Sequence, residues 1–213
     1  MKIYSYVVRC DTGFAPNPFW GYCTLATCKP GIRRKAEKGD WVIGTGSVRN
    51  VGNNRLVFAM KVTERMRLED YANDKRFAEK IPGRGSKRKV GDNIYYRDKN
   101  GEMRQRFPSM HSYQNSENPE TKRKDLAGKN VLISESGNFH YFGRKAPKIP
   151  DHLLILVKKG PGYKWNFPQR VVDQFLQWIR GKNPGIKGEP YDYPAELQSC
   201  IRMKDARTTM DRC

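Results

Sequence analysis

A chain of 213 residues is long enough for one compact domain whose core needs no disulfide or metal staple. Hydrophobic residues make up 37% and aromatics 11%, too rich for a disordered chain, and no run of about eighteen apolar residues could span a bilayer. Against 22 Asp and Glu stand 41 Lys and Arg, a formal net charge of +19 that points to a polyanionic partner.

No tail carries that excess. Residues 1–60 hold 9 basic and 3 acidic side chains, residues 61–130 hold 18 and 11, and residues 131–213 hold 14 and 8. The whole fold is therefore expected to be basic. The sequence opens on MKIYSYVVRC, which reads as a first strand and not as a leader segment. Cys10, Cys23, Cys28, Cys200 and Cys213 contain no Cys-x-x-Cys pair, and His111, His140 and His152 show no metal-ligand spacing. Reduced thiols, a cytoplasmic location, no metal and no cofactor are expected.

In chain order, residues 2–9 alternate and are rich in Tyr and Val, a strand pattern. The loop FAPNPFWGY follows, where Pro16 and Pro18 forbid a helix or central strand. Trp41 to Ser47 reads as a strand after the Gly39-Asp40 turn. Gly44 and Gly46 fall on one of its faces and leave it bare, either for a flat ligand or for a packed neighbour. Residues 55–63 read as a buried strand, and residues 68–80 as a short helix with acids first and bases last. Residues 80–106 form a polar excursion with a hairpin at Lys99-Asn100-Gly101, and residues 112–130 read as an exposed linker or insertion. Strands are expected at 130–134, 138–143 and 153–157. The helix at 168–180 places Val171, Val172, Phe175, Leu176 and Ile179 on one face. The expectation is an α+β domain over 1–180 on a curved or partly closed sheet, with a basic insertion at about 80–125 and a surface-lying C-terminal extension at 181–213.

Three segments can carry base recognition, which needs aromatic walls and a few groups that read a base edge. The proline loop supplies Phe14, Asn17, Phe19, Trp20 and Tyr22; the glycine-marked strand supplies Trp41, Thr45 and Ser47; SESGNFHYFG supplies Ser134, Asn138, Phe139 and Tyr141. Trp20 and Trp41 are expected to flank a heterocycle, with Asn17 and Ser47 at its edge. Phosphate contacts are expected from Arg33, Arg34, Lys35, Arg84, Lys87, Arg88 and Lys89, although IPGRGSKRK lacks the P-loop pattern and also reads as a solvated loop. The partner is then a nucleic acid, DNA ahead of RNA, or a nucleotide, with no membrane. Two alternatives stay open. One is an enzyme acting on a nucleotide or base with Asp11, His111 or His140 as proton carriers; the other is a factor docking on an acidic protein.

RCDTGFAPNPFWGYCTLATCKPGIR, GDWVIGTGS, RLVFAMKVTERMRLEDYANDKRF and VLISESGNFHYFGRKAPKIP, closed by an amphipathic helix, resemble the second class of nucleotide modification associated domain proteins. The resemblance covers about residues 1–180 and implies a role beside altered DNA bases in bacteria and phages. GDWVIGTGS with the strand and short helix after it also resembles PUA-like domains of the EVE, ASCH and YTH groups. That second resemblance implies a barrel pocket walled by Trp20, Tyr22, Trp41, Ser47 and Tyr141, holding a modified base.

Overall fold

The computed structural model describes residues 1–193. In chain order its elements are β1 (Ile3–Val7), β2 (Tyr22–Leu25), α1 (Pro30–Lys35), β3 (Trp41–Thr45), β4 (Leu56–Lys61) and β5 (Glu64–Arg67). There follow α2 (Leu68–Asn73), β6 (Tyr95–Arg97), β7 (Met103–Gln105), α3 (Pro119–Leu126), β8 (Asn130–Glu135), β9 (Phe139–Tyr141), α4 (Gln169–Arg180) and β10 (Gly185–Ile186). The expected mixed α+β class, rich in strands and poor in helices, is what forms; no closed barrel occurs among the described residues.

The chain divides into two compact units. The first comprises Met1–Thr12, Ala36–Thr63 and the chain from Ser134 onward; the second comprises Gly13–Lys35 and Glu64–Ile133, and so includes the segment expected as a basic insertion.

In the first unit five strands run in the order β1-β3-β4-β9-β10. β1 lies parallel to β3, β3 and β9 lie antiparallel to β4, and β10 lies parallel to β9. Val171, Val172, Phe175 and Ile179 of α4 are buried at the helical spacing that the sequence predicts, against Ile3, Trp41, Ile43, Ala59 and Phe142 of the sheet. Each such side chain contributes about 1.5–3 kcal/mol through removal of apolar surface from water. The bare face of β3 is filled by protein: a Cβ on Gly44 would lie 2.2 Å from the Phe58 ring, and one on Gly46 would lie 2.3 Å from the Gly52 carbonyl.

Residues 153–157 do not form the expected strand. They lie in a 3-10 helix over Asp151–Leu156, where Leu153 and Leu156, three apart, are buried and Ile155 is exposed. A short apolar run does not by itself distinguish period two from period three. The extension expected to lie loosely from 181 instead adds β10 to the sheet and buries Asp192 and Tyr193; the rest of it, from residue 194, lies outside the described residues.

In the second unit the three-stranded sheet runs β2-β8-β5, and β6 with β7 forms the hairpin expected around Gly101. The stretch read as a linker contains α3, capped by the Asn118 side chain, which accepts from Glu120 N at 3.1 Å and Thr121 N at 3.2 Å.

Candidate functional site

In the first unit, strand alternation places Trp41, Lys61, Asn138 and His140 on one face. Trp41 pairs with Lys61, Lys61 N donates to Asn138 O at 3.0 Å, and His140 pairs with Ala59. The Ala59 methyl is the only bulk that strand β4 raises between Ile43 and His140. The C-terminal end of α4 faces this corner with Leu176, Ile179 and Arg180, and Lys182 follows. Together they line a half-open cavity of about 300 Å³, at the low end of small-molecule sites.

Trp41 and His140 stand 6.5 Å apart and 23° from parallel, toward the wide end of the range of about 4.5–7 Å for ring pairs. Phe142 backs His140 at 6.1 Å and 17°, while Phe175 holds Trp41 edge-on at 5.7 Å. Trp41 is 7% exposed, and its Nε1 is buried with no partner among the described residues. An orphaned N–H of this kind costs about 1–3 kcal/mol. His140 Nδ1 donates to Asn183 O at 3.2 Å. Burial pulls its pKa below the usual histidine value; the Asn183 contact opposes this, and Lys187 and Lys182 reinforce it. The ring is therefore neutral and its Nε2 is an acceptor. Lys61, Arg180 and Lys182 line the same cavity with no carboxylate among the lining residues.

Of the residues expected at a base in this unit, Trp41 and Asn138 line the cavity. Thr45 is buried and donates to Tyr6 O at 3.3 Å, and Ser47 Oγ accepts from Arg49 N at 3.3 Å. Phe139 and Tyr141 flank His140 and so face the other side of the sheet. There the Tyr141 hydroxyl donates to Asp11, whose other oxygen accepts from Tyr191 N at 2.9 Å. Burial pushes the Asp11 carboxyl up to about 6, with the Tyr141 and Tyr191 hydrogen bonds opposing and the Asp192 charge adding to the rise. Asp11 and His140, two of the proton carriers of the enzyme alternative, thus belong to opposite faces. Lys61, Arg180 and Lys182 were not singled out by sequence reasoning. The signal available for Lys61 is its place two residues beyond Ala59 on a strand antiparallel to that of Trp41.

In the second unit Asn17 is fully buried. Its Nδ2 donates to Val90 O at 2.8 Å, and its Oδ1 accepts from Lys80 Nζ at 2.7 Å and from Phe19 N at 3.2 Å. Lys80, also fully buried, donates further to Asn17 O and Tyr22 O, both at 3.0 Å. Burial lowers its pKa to about 8 against the opposing pull of Asp92 and Cys23. The proline-flanked amide expected at a base edge instead holds a lysine with its oxygen and the Val90 carbonyl with its nitrogen. Phe19 is buried, Trp20 and Tyr22 are half-buried, and Phe19 meets Trp20 edge-on at 5.6 Å.

The basic loop does meet the aromatic one: Lys87 Nζ stands 5.6 Å over the Phe19 ring. Arg84, Lys87, Lys89, Arg34 and Lys35 are exposed, and Arg88 is half-buried 3.9 Å from Glu79. Arg33 departs from the expected phosphate role. Its side chain is wholly buried and donates to the carbonyls of Cys28 at 2.8 Å, Ala26 at 2.7 Å and Asn130 at 2.9 Å, and to that of Asp125. A guanidinium engaged on four carbonyls has no fork to offer a phosphate. Among the described residues no cluster of three or more His, Cys, Asp and Glu could hold a metal, and no helix is long and apolar enough to cross a membrane.

The corner thus brings two aromatic rings and three cationic side chains together on an α+β scaffold. The family model described as nucleotide modification associated domain 2 matches residues 1–197, and the chain belongs to that family. No curated protein and no solved structure matches it.

Proposed function

We propose that the first unit binds a nucleotide, free or within a nucleic acid, by taking its base against Trp41 and His140 and its phosphate on Lys61, Arg180 and Lys182. The protein then serves as a reader of altered bases beside a DNA-modification system. One observation carries this reading: an indole whose buried N–H has no partner among the described residues lines a cavity whose only charged lining residues are cations. The indole N–H and the His140 Nε2 supply one donor and one acceptor, the minimum for telling base edges apart. The family description, which names nucleotide modification, supports the same ligand class. An aromatic cavity on a mixed sheet also supports the PUA-like comparison, without the barrel closure that this fold usually has. In the second unit, Trp20, Tyr22 and the exposed Arg84, Lys87 and Lys89 offer nucleic acid a surface of their own, with DNA the polymer to test before RNA.

Calorimetric titration of the full chain with nucleoside 5′-monophosphates checks the assignment. Binding should be measurable, weaker for the matching nucleosides, and reduced roughly tenfold or more in Lys61→Ala/Arg180→Ala, as loss of charge-assisted contacts of about 1.5–3 kcal/mol implies. Neither side chain is part of the apolar core, so the variant should melt as the parent does. No binding by any monophosphate, or equal binding by the double variant, would overturn it.

A further inference from the structure

The second unit holds a group of side chains that the nucleotide site does not use. Cys28 Sγ lies 3.5 Å from His111 Nε2, and His111 Nδ1 lies 2.6 Å from Asp125 Oδ2. The other Asp125 oxygen accepts the Cys28 backbone N–H at 2.7 Å, and the Tyr95 hydroxyl donates to Oδ2 at 2.8 Å. Three segments far apart in sequence therefore meet as thiol, imidazole and carboxylate. The same order, nucleophile to base to orienting group, activates thiols and hydroxyls on unrelated folds.

We propose that Cys28 is a nucleophile for acyl transfer, with His111 as its general base and Asp125 as the positioning residue.

The electrostatics support that order. Burial alone would raise Asp125, but His111, Arg33 and Tyr95 outweigh it and hold the carboxyl below its usual range. An ionised Asp125 accepts a hydrogen bond from Nδ1–H, which leaves Nε2 as the lone-pair nitrogen beside the thiol. The Phe14 ring meets His111 edge-on at 4.8 Å, and the His111 carbonyl accepts from Gln105 Nε2 at 3.0 Å and Thr121 Oγ1 at 2.5 Å, so both ring and backbone are held. The buried Arg33 guanidinium, bonded to the Cys28 carbonyl at 2.8 Å, puts a positive charge next to the residue, which favours thiolate. Cys28 is half-buried while Cys23, five residues earlier, is fully buried. Cys28 and Lys29 occupy the left-handed region at φ 56° and 39°, where a non-glycine residue costs about 1–3 kcal/mol and sits on a tight bend.

The step balances without an added oxidant or cofactor. His111 Nε2 takes the thiol proton, and the thiolate attacks the carbonyl carbon of an ester or amide, forming a C–S bond. The bond to the leaving oxygen or nitrogen breaks, its electron pair stays with that atom, and His111 returns the proton to it. Water, deprotonated by His111, then attacks the thioester; the acid departs and the proton ends on sulfur.

The test uses the full chain with two probes. With p-nitrophenyl acetate, peptide mapping should find acetyl on Cys28, and p-nitrophenolate release should fall roughly tenfold or more in Cys28→Ser. With iodoacetamide at neutral pH, Cys28 of the unaltered protein should react roughly tenfold faster than the part-exposed Cys10 of the same molecules, because His111 accepts the thiol proton as the sulfur attacks. Acetylation confined to lysines, or a Cys28 no faster than Cys10, would overturn the proposal, and neither readout depends on a variant that must fold.

Discussion

Asp11 holds a proton that the unfolded chain would release. Its folded pKa of about 6 stands above the ordinary 3.8, because burial disfavours the charge more than Tyr141 and Tyr191 favour it. Between those two values the folded state binds more protons, so its contribution to stability is full below the lower value and is lost as pH rises through the upper one. The window corresponds to about 3 kcal/mol at most. Urea unfolding across pH 4 to 6.5 should show Asp11→Asn with a flatter decline than the parent; superimposable slopes would remove Asp11 from the account. At this scale the sequence was legible where chemistry is local. Trp41 was named as a wall and lines a cavity. Asn17 and Arg33 were named as ligand contacts, and both face inward. Asn17 serves Lys80, 63 positions later, and Arg33 serves Asn130, 97 positions later. Nothing adjacent in sequence announces partners at such separations. In a run such as Arg33, Arg34 and Lys35 the pattern does not say which member turns inside.

At the scale of elements, β3 is the strand on which the site depends, and its glycine is structural. The place where a Gly44 Cβ would stand is taken by the Phe58 ring at 2.2 Å and Val8 at 2.5 Å. Gly44→Ala should therefore lower stability by about 1–3 kcal/mol, the usual penalty of overpacking, read as a fall in the denaturation midpoint. An unchanged midpoint would mean that the face has room after all. The glycine spacing correctly announced a close approach but could not say by what, since a side chain and a flat ligand need the same bareness. Helix α4 was legible because five apolar residues recur at one period over twelve positions, and 153–157 was not because five consecutive apolar residues carry no period. Helix α3 was missed since its mean composition is polar; the Asn118-Pro119 start, with Glu120 in the first turn, was the available signal.

Across the whole molecule, +19 charges on a fold with basic residues in every third of its length predict binding that weakens steeply with salt. Fluorescence anisotropy with a DNA duplex at several salt concentrations gives the slope of log affinity against log salt. Arg84→Ala/Lys87→Ala/Lys89→Ala should reduce that slope by about 0.9 for each phosphate contact removed. A slope unaffected by the triple substitution would return these side chains to the solvent. Charge pointed to a polyanionic partner, but the cationic corner itself was not legible, because Lys61 and the neighbouring Arg180 and Lys182 come from segments that only the fold joins.

The interleaving of the two units sets an order of birth. Every segment of the second unit has left the ribosome once residue 133 has, whereas the first unit still lacks β9, α4 and β10. Domains settle as they are completed during synthesis. The compartment with Cys28 and His111 is thus finished while Trp41 still waits for the histidine that will face it, and a nascent chain arrested between the two would carry the thiol group before His140 had met Trp41.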